Sequence, residues 1–410
     1  MNRRRSRVSL LLMLAITAQV LMGCRAAGRT PAEAARPSQN ASPSVLAPTP
    51  AATPVATPTA SPSATPSPAQ PATSTPSEGP TEETGAGAQE QSTAFLTTLQ
   101  SLRQVDDYPL YTMRYYGAYS PVASSPRDAG WAGPAIPARH WSCSLFAALG
   151  NSDRILYGRN FDWRYSPALL LFTDPPDGYA SVSMVDIAYL VSAGDVGALT
   201  DLPLQERAPL LSAPFWPFDG MNEHGLVVGM AAVPESEMPF DASKETIDSL
   251  RVIREILDHA RDVKDAVSIM RRYNVVWDGG PALHYLIADG SGRSVLVEFY
   301  AGQMVLLPSP ARSAWHLATN HLRATVENDT APSGCWRYDE IRRRLTKAEG
   351  RLAPPDALNL LADVSQENTQ WSVVYDAGAG RISVAMGRAF DDEHTFCLGP
   401  EGLASCAEPQ

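Results

Sequence analysis

The stretch from Ala27 to Gln91 sets the limit on what this chain can fold. It is built of proline, alanine, threonine and serine, with scarcely a large apolar side chain. Such a segment cannot bury enough surface to offset its chain entropy. Its prolines stiffen it into an extended, disordered tether. Of the 410 residues, that leaves about 300 from Ser92 onward, the size of one large domain.

The segment ahead of the tether reads as an export signal. Arg3, Arg4, Arg5 and Arg7 precede an apolar run from Val8 to Met22, a charged region and a hydrophobic region too short to be a membrane span. The run closes on Leu21-Met22-Gly23-Cys24, which resembles a bacterial lipobox. The resemblance implies cleavage before Cys24 and lipidation of its thiol, and a membrane-held protein gains reach from a long tether. Export makes disulfides permissible. With Cys24 set aside as anchor and Cys143 as reactive thiol, Cys335, Cys397 and Cys406 remain. Three pairings are open, Cys397–Cys406 being the local one.

Net charge is −11, with no basic stripe, so nucleic acid is not an expected partner. No Cys-x-x-Cys occurs, and His316 and His321 are not at helical ligand spacing, so neither a metal nor a cofactor is expected.

Past the tether, Phe95, Leu96, Leu99, Leu102 and Val105 recur at helical spacing. Tyr108 to Tyr116 is aromatic and strand-like. Cys143 to Leu149 and Arg154 to Gly158 read as two strands of a hairpin around Asn151-Ser152-Asp153. Gly220 to Gly225 is turn chemistry leading into a strand over Leu226 to Ala232. Glu245 to Tyr273 reads as two helices broken near Arg261-Asp262. Four strands are predicted over His284 to Ala288, Ser294 to Tyr300, Met304 to Pro308 and Ala314 to Thr319. Helices over Trp336 to Ala348 and Pro355 to Ser365 come next, then a hairpin of Trp371 to Tyr375 and Arg381 to Met386. Strand blocks separated by helix blocks give an α+β class.

The chemistry centres on Cys143. A thiol needs a base or a nearby cation to act as a nucleophile. A Cys–His pair with His284, His316 or His321 is conceivable from composition, but no local signature points to one. The residues C-terminal to Cys143 are more specific. Cys143-Ser144-Leu145-Phe146 continues into Gly158-Arg159-Asn160-Phe161-Asp162-Trp163, with Arg159 sixteen and Asp162 nineteen residues after the cysteine. This string resembles the cysteine branch of the N-terminal-nucleophile hydrolases: the choloylglycine (bile salt) hydrolases, penicillin V acylases, acid ceramidases and penicillin acyltransferases. The resemblance extends to about Met386. It takes in Asp219-Gly220-Met221-Asn222-Glu223-His224-Gly225-Leu226, Leu283-His284-Tyr285, Thr319-Asn320-His321, Arg337-Tyr338 and Trp371 to Asp376.

The resemblance implies a four-layer αββα fold, in which a freed Cys143 α-amine serves as base for its own thiol. Arg159 and Arg337 favour the thiolate, Asp162 holds the amine, and Asn320 donates to the oxyanion. Asn222 has either a substrate or a turn role, the turn being favoured by its Asn-Glu-His-Gly string. His284 and His321 read as structural. Bile salt hydrolases carry a second oxyanion-side Asn ten residues past the turn Asn. Here that position is Ala232, so a backbone N–H such as that of Ser144 is the alternative donor, and bile salts are disfavoured as substrate.

Signal cleavage cannot expose Cys143, so self-cleavage after Ser142 is expected. The organisation is then a signal peptide over 1–23, the tether over 24–91, a propeptide or small-subunit segment over 92–142 and a catalytic domain over 143–410. The cleaved N-terminal fragment is expected to stay bound. The expected activity is hydrolysis of a linear, non-peptide amide at the outer side of a bacterial membrane. Acyl transfer to an amine and a non-catalytic binding protein are the alternatives.

Overall fold

The computed structural model describes residues 83–119, 142–191, 199–234, 236–277, 280–310, 313–326, 333–399 and 402–404. The signal, Cys24, nearly all of the tether and Cys406 lie outside the described residues. Described structure begins with helix α1 (Glu83–Gln100), ahead of the start predicted at Ser92.

Two sheets make the body. The first holds nine described strands, in the order β1 (Arg103–Asp106), β2 (Leu110–Arg114), β5 (Ala168–Thr173), β6 (Ser181–Asp186), β7 (Pro217–Asn222), β8 (Val227–Ala232), β11 (Leu283–Ala288), β12 (Ser294–Tyr300) and β13 (Gln303–Pro308). The second holds seven: β14 (Trp315–Ala318), β3 (Ser144–Ala148), β4 (Leu156–Asp162), β15 (Thr369–Asp376), β16 (Arg381–Met386), β17 (His394–Gly399) and β18 (Gly402–Ala404). Pairing is antiparallel in both, except that β2 runs parallel to β5.

Helices α2 (Arg251–His259) and α3 (Val263–Arg272) cover the nine-stranded sheet, α2 over β7 and β8 and α3 over β11. On the other side, α4 (Trp336–Lys347) covers β14 and β3, and α5 (Pro354–Asp363) covers β4 and β15. Strand β3 faces β8 and β11 across the sheet interface. The four-layer αββα architecture that the resemblance implied is thus the observed one.

Strand periodicity explains how the layers are glued. Side chains alternate between faces, so Tyr157 and Phe161 of β4 enter the inter-sheet core while Leu156 joins the cluster under α4 and α5. Gly158 also points to the helix side. A Cβ there would lie 2.4 Å from the ring of Phe146, its cross-strand partner, so the residue has to be glycine.

Three predicted elements differ. Glu245–Asp248 is not helical. It forms β9, paired in parallel with β10 (Tyr273–Val276), so the two helices are bracketed by a two-stranded ribbon. The β-branched Thr246, Ile247, Val275 and Val276 suit strands, but their pairing is made across the intervening helices. The apolar positions to Val105 do not form one helix, because α1 ends at Gln100 and Arg103–Asp106 pairs with β2. Gly220 to Asn222 closes β7, and the turn proper is Glu223 to Gly225, with Gly225 at φ +71°.

Candidate active site

The β3–β4 hairpin aims the motif. Arg159 shares a face with Tyr157 and Phe161, so its side chain crosses the sheet interface and pairs with Asp219 on β7 of the opposite sheet. Its Nη1 also donates to the Phe218 carbonyl at 2.7 Å. Its guanidinium carbon stands 5.0 Å from the centre of the Phe161 ring, which stacks on Trp371 at 4.0 Å. Both members of the ion pair are fully buried. Burial opposes the Arg159 charge, but Asp219 and Cys143 outweigh it and the guanidinium stays charged.

The other terminus of Arg159, Nη2, points at Cys143 Sγ, 3.8 Å away. Burial pushes the Cys143 thiol up. Arg159 and the backbone N–H of Asp162 pull it down, and the Asp162 charge adds to the rise. In the intact chain the thiol is therefore protonated, with a cation in place to receive its anion.

Asp162 is caged by the loop after α5 and the first residue of β15. Thr369 Oγ1 donates to Oδ1 at 2.5 Å and Gln366 Nε2 to Oδ2 at 2.7 Å. Burial raises the Asp162 pKa, against Arg337, Thr369, Gln366 and Arg159.

Arg337, from the first turn of α4, ties the remaining groups together. Its Nη1 donates to the Cys143 carbonyl and, at 2.8 Å, to Ser144 Oγ. Nη2 donates to Asn320 Oδ1 at 3.0 Å, and Nη1 lies 3.9 Å from Asp162 Oδ2. Asn320 Nδ2 donates to the Ala232 carbonyl at 2.8 Å, which leaves its second N–H.

Cys143, Arg159, Asp162, Asn320 and Arg337 thus meet in one buried network. The two arginines, both expected to favour the thiolate, are placed differently. Arg159 faces the sulfur, while Arg337, also a Coulomb partner of Cys143, grips the Cys143 carbonyl and orients Asn320. Ala232 enters through its carbonyl rather than through a side chain.

Asn222 takes no part in this network. Its Nδ2 donates to the carbonyls of Leu257 and Ala260 at 3.0 and 2.7 Å. Its Oδ1 accepts from the N–H groups of His224 and Leu226 at 3.1 and 3.2 Å. It ties the turn after β7 to the end of α2. Asn222→Ala is expected to cost about 3 kcal/mol in urea denaturation, because it strands buried backbone groups, while the specific activity of the folded fraction is unchanged.

The histidines are committed elsewhere. His284 Nδ1 meets Glu298 Oε1 at 2.9 Å, His316 Nδ1 meets Ser294 Oγ at 3.0 Å, and His321 Nδ1 meets Thr319 Oγ1 at 3.0 Å. Burial, reinforced by Arg323, pushes His316 and His321 each down to about 4. No Cys143–His bond occurs among the described residues. Cys335 and Cys397 are both disulfide-bonded, and Cys143 is the free cysteine among the described residues.

Sequence reasoning passed over Asp219, Gln366, Thr369 and Tyr375, whose hydroxyl donates to Asp219 Oδ1 at 2.5 Å. Asp219 opens the Asp-Gly-Met-Asn string, and a carboxylate within a buried strand was a usable signal. Gln366 and Thr369 left no such mark.

The family model described as acyl-coenzyme A:6-aminopenicillanic acid acyl-transferase matches residues 214–402. That family is one of those the sequence motifs resemble. The acyltransferase-like region includes Asp219, Asn320, Arg337 and the Gln366–Thr369 loop, whereas Cys143, Arg159 and Asp162 precede it. Among solved structures, a mutant conjugated bile acid hydrolase from Clostridium perfringens is similar at 14% identity, with a TM-score of 0.45, over 62% of this chain and 92% of that one. Penicillin V acylase from Agrobacterium tumefaciens is similar at 16% identity, with a TM-score of 0.41, over 63% and 92%. An uncharacterized protein of Paramecium bursaria Chlorella virus 1 is 29% identical over 102 residues, 22% of this chain. The match spans about a third (36%) of that viral protein's length.

Proposed function

We propose that this chain is an autoproteolytically matured amidase, exported and lipid-anchored through Cys24, that hydrolyses a linear, non-peptide amide through a Cys143 acyl-enzyme. The observation that carries this reading is the placement of Cys143 Sγ 3.8 Å from the buried Arg159 guanidinium, one residue past the Ser142 carbonyl. Its neighbours Asp162, Arg337 and Asn320 belong to the same network.

In the intact chain the Cys143 nitrogen is an amide and cannot accept a proton, so the uncut protein is a zymogen. Maturation starts with attack of Cys143 Sγ on the Ser142 carbonyl carbon. An S–C bond forms, the C–N bond breaks, and the thiol proton ends on the freed nitrogen. Water then splits the thioester, which releases a Ser142 carboxylate and restores the thiol. The new α-amine titrates near about 7.7–8.0, close to where a general base works best at neutral pH.

In turnover this amine takes the thiol proton, the sulfur attacks the substrate amide, and Arg159 stabilises the thiolate. The free N–H of Asn320, held in orientation by Arg337, meets the oxyanion, an interaction worth about 3–4 kcal/mol. The amine leaves with a proton, and water resolves the acyl-enzyme.

The fold also gives a reason for the cut fragments to stay together. Strand β2 is hydrogen-bonded to β5 inside the nine-stranded sheet, and Leu110, Tyr111 and Met113 are fully buried. The anchored fragment would therefore retain the catalytic one at the membrane.

Intact mass spectrometry of active protein is expected to show two fragments with the break between Ser142 and Cys143. Activity in material with that bond whole overturns the reading. A panel of N-acyl amines, N-acyl-homoserine lactones, penicillin V and conjugated bile acids then identifies the amide. The match to an acyltransferase family favours a second reading, in which an amine and not water takes the acyl group. New amide formed when amine acceptors are added separates the two.

A further inference from the structure

Gln366 touches the bond that maturation breaks. It lies between α5 and β15, and its Nε2 donates both to Asp162 Oδ2 at 2.7 Å and to the Ser142 carbonyl at 3.3 Å. A primary amide has two N–H groups, so each is engaged. The residue is pinned by its backbone: its N–H donates to Thr369 Oγ1 at 2.8 Å, and its carbonyl accepts from the Thr369 N–H at 3.0 Å. Thr369 Oγ1 in turn donates to the other Asp162 oxygen. Gln366 is therefore held against the Asp162 carboxylate with one N–H directed at the Ser142 oxygen.

That oxygen is where negative charge develops when Cys143 Sγ attacks the Ser142 carbon. A donor fixed there before reaction stabilises the charge without reorganisation. Neither neighbouring donor bonds that oxygen. Arg337 holds the next carbonyl along, that of Cys143, and Asn320 donates one N–H to Ala232.

We infer that Gln366 is the oxyanion donor of self-cleavage, distinct from Asn320, which serves the substrate. This rests on the reading of Cys143 as a self-cleaving nucleophile. The Ser142 oxygen leaves with the cut, so Gln366 loses this role in the mature enzyme and keeps only its hold on Asp162. Maturation and turnover would then use different donors on either side of one sulfur.

The test tracks the conversion of full-length chain into fragments over time, by gel and intact mass, for wild type, Cys143→Ala and Gln366→Leu. Wild type is expected to cut at Ser142–Cys143 and Cys143→Ala to stay whole. Gln366→Leu is expected to cut about 100–1000-fold more slowly, while kcat/KM per cut molecule falls only a few-fold. Cutting by Gln366→Leu within threefold of wild type overturns the assignment and leaves the self-cleavage reading standing. A wild-type chain that stays whole overturns both.

If Gln366→Leu shows no cooperative unfolding, Gln366→Glu decides. A carboxylate at this position donates nothing, and a carboxylic acid donates one O–H. Its cutting is expected to be faster at pH 5 than at pH 8, whereas wild type, whose attack needs the thiolate, is expected to cut faster at pH 8. A profile parallel to wild type overturns the assignment.

Discussion

Cys143→Ala is expected to accumulate as a folded, full-length chain with amidase activity reduced by about 10⁴-fold or more, as when a nucleophile is removed from a unit that acts together. The size of the effect comes from the site. Without the sulfur there is no attack on Ser142, so the amine that would act as base is never freed. The nucleophile and its base are lost in one change. Stability is expected to hold, because the thiol contributes one long contact to Arg159 and alanine fills most of its volume. Activity against the responsive amide, fragment mass and the thermal midpoint measured together check this. Activity retained by Cys143→Ala would remove the proposed mechanism.

Arg159→Met has the second largest effect, on stability and chemistry together. The substitution removes the partner of Asp219 and leaves that carboxylate buried with Tyr375. Breaking one side of a buried pair costs about 3–5 kcal/mol, more than the net worth of the pair, because the remaining charge is uncompensated. The contact over Phe161 is lost as well. Urea denaturation measures the stability term. The rate of thiol alkylation against pH measures the chemical one, with the Cys143 thiol expected to titrate higher without its cation. Arg159→Met combined with Asp219→Leu is expected to recover part of the stability and none of the cleavage. Equal recovery of both would show that Arg159 acts only through folding.

The reach of the sequence is clearest at β4. The spacing of Cys143, Arg159 and Asp162 lay in a short hairpin, so local pairing alone brought them together, and the αββα layering came from the resemblance. Asn320 and Arg337 carried their own flanking residues and were found the same way. Glu245–Asp248 was misread because its strand partner, Tyr273–Val276, lies beyond two helices. The nine-stranded sheet's β5 and β6 were missed: β5 is an apolar run buried on both faces with no period to mark it, whereas β6, Ser-Val-Ser-Met-Val-Asp, carried an alternation that was a usable signal. The two arginines were alike in the sequence, and only their packing assigned Arg159 to the sulfur and Arg337 to the carbonyl.

From its residue order alone, this chain determined that a cysteine, an arginine and an aspartate would share one hairpin, because strand geometry converts short spacings into fixed directions. Tertiary structure decided what those side chains meet: Asp219 from the facing sheet, Arg337 from α4, Gln366 from the loop after α5 and Thr369 from the start of β15. Those contacts join residues far apart in the chain. They depend on how the layers stack, which no local pattern of side chains encodes.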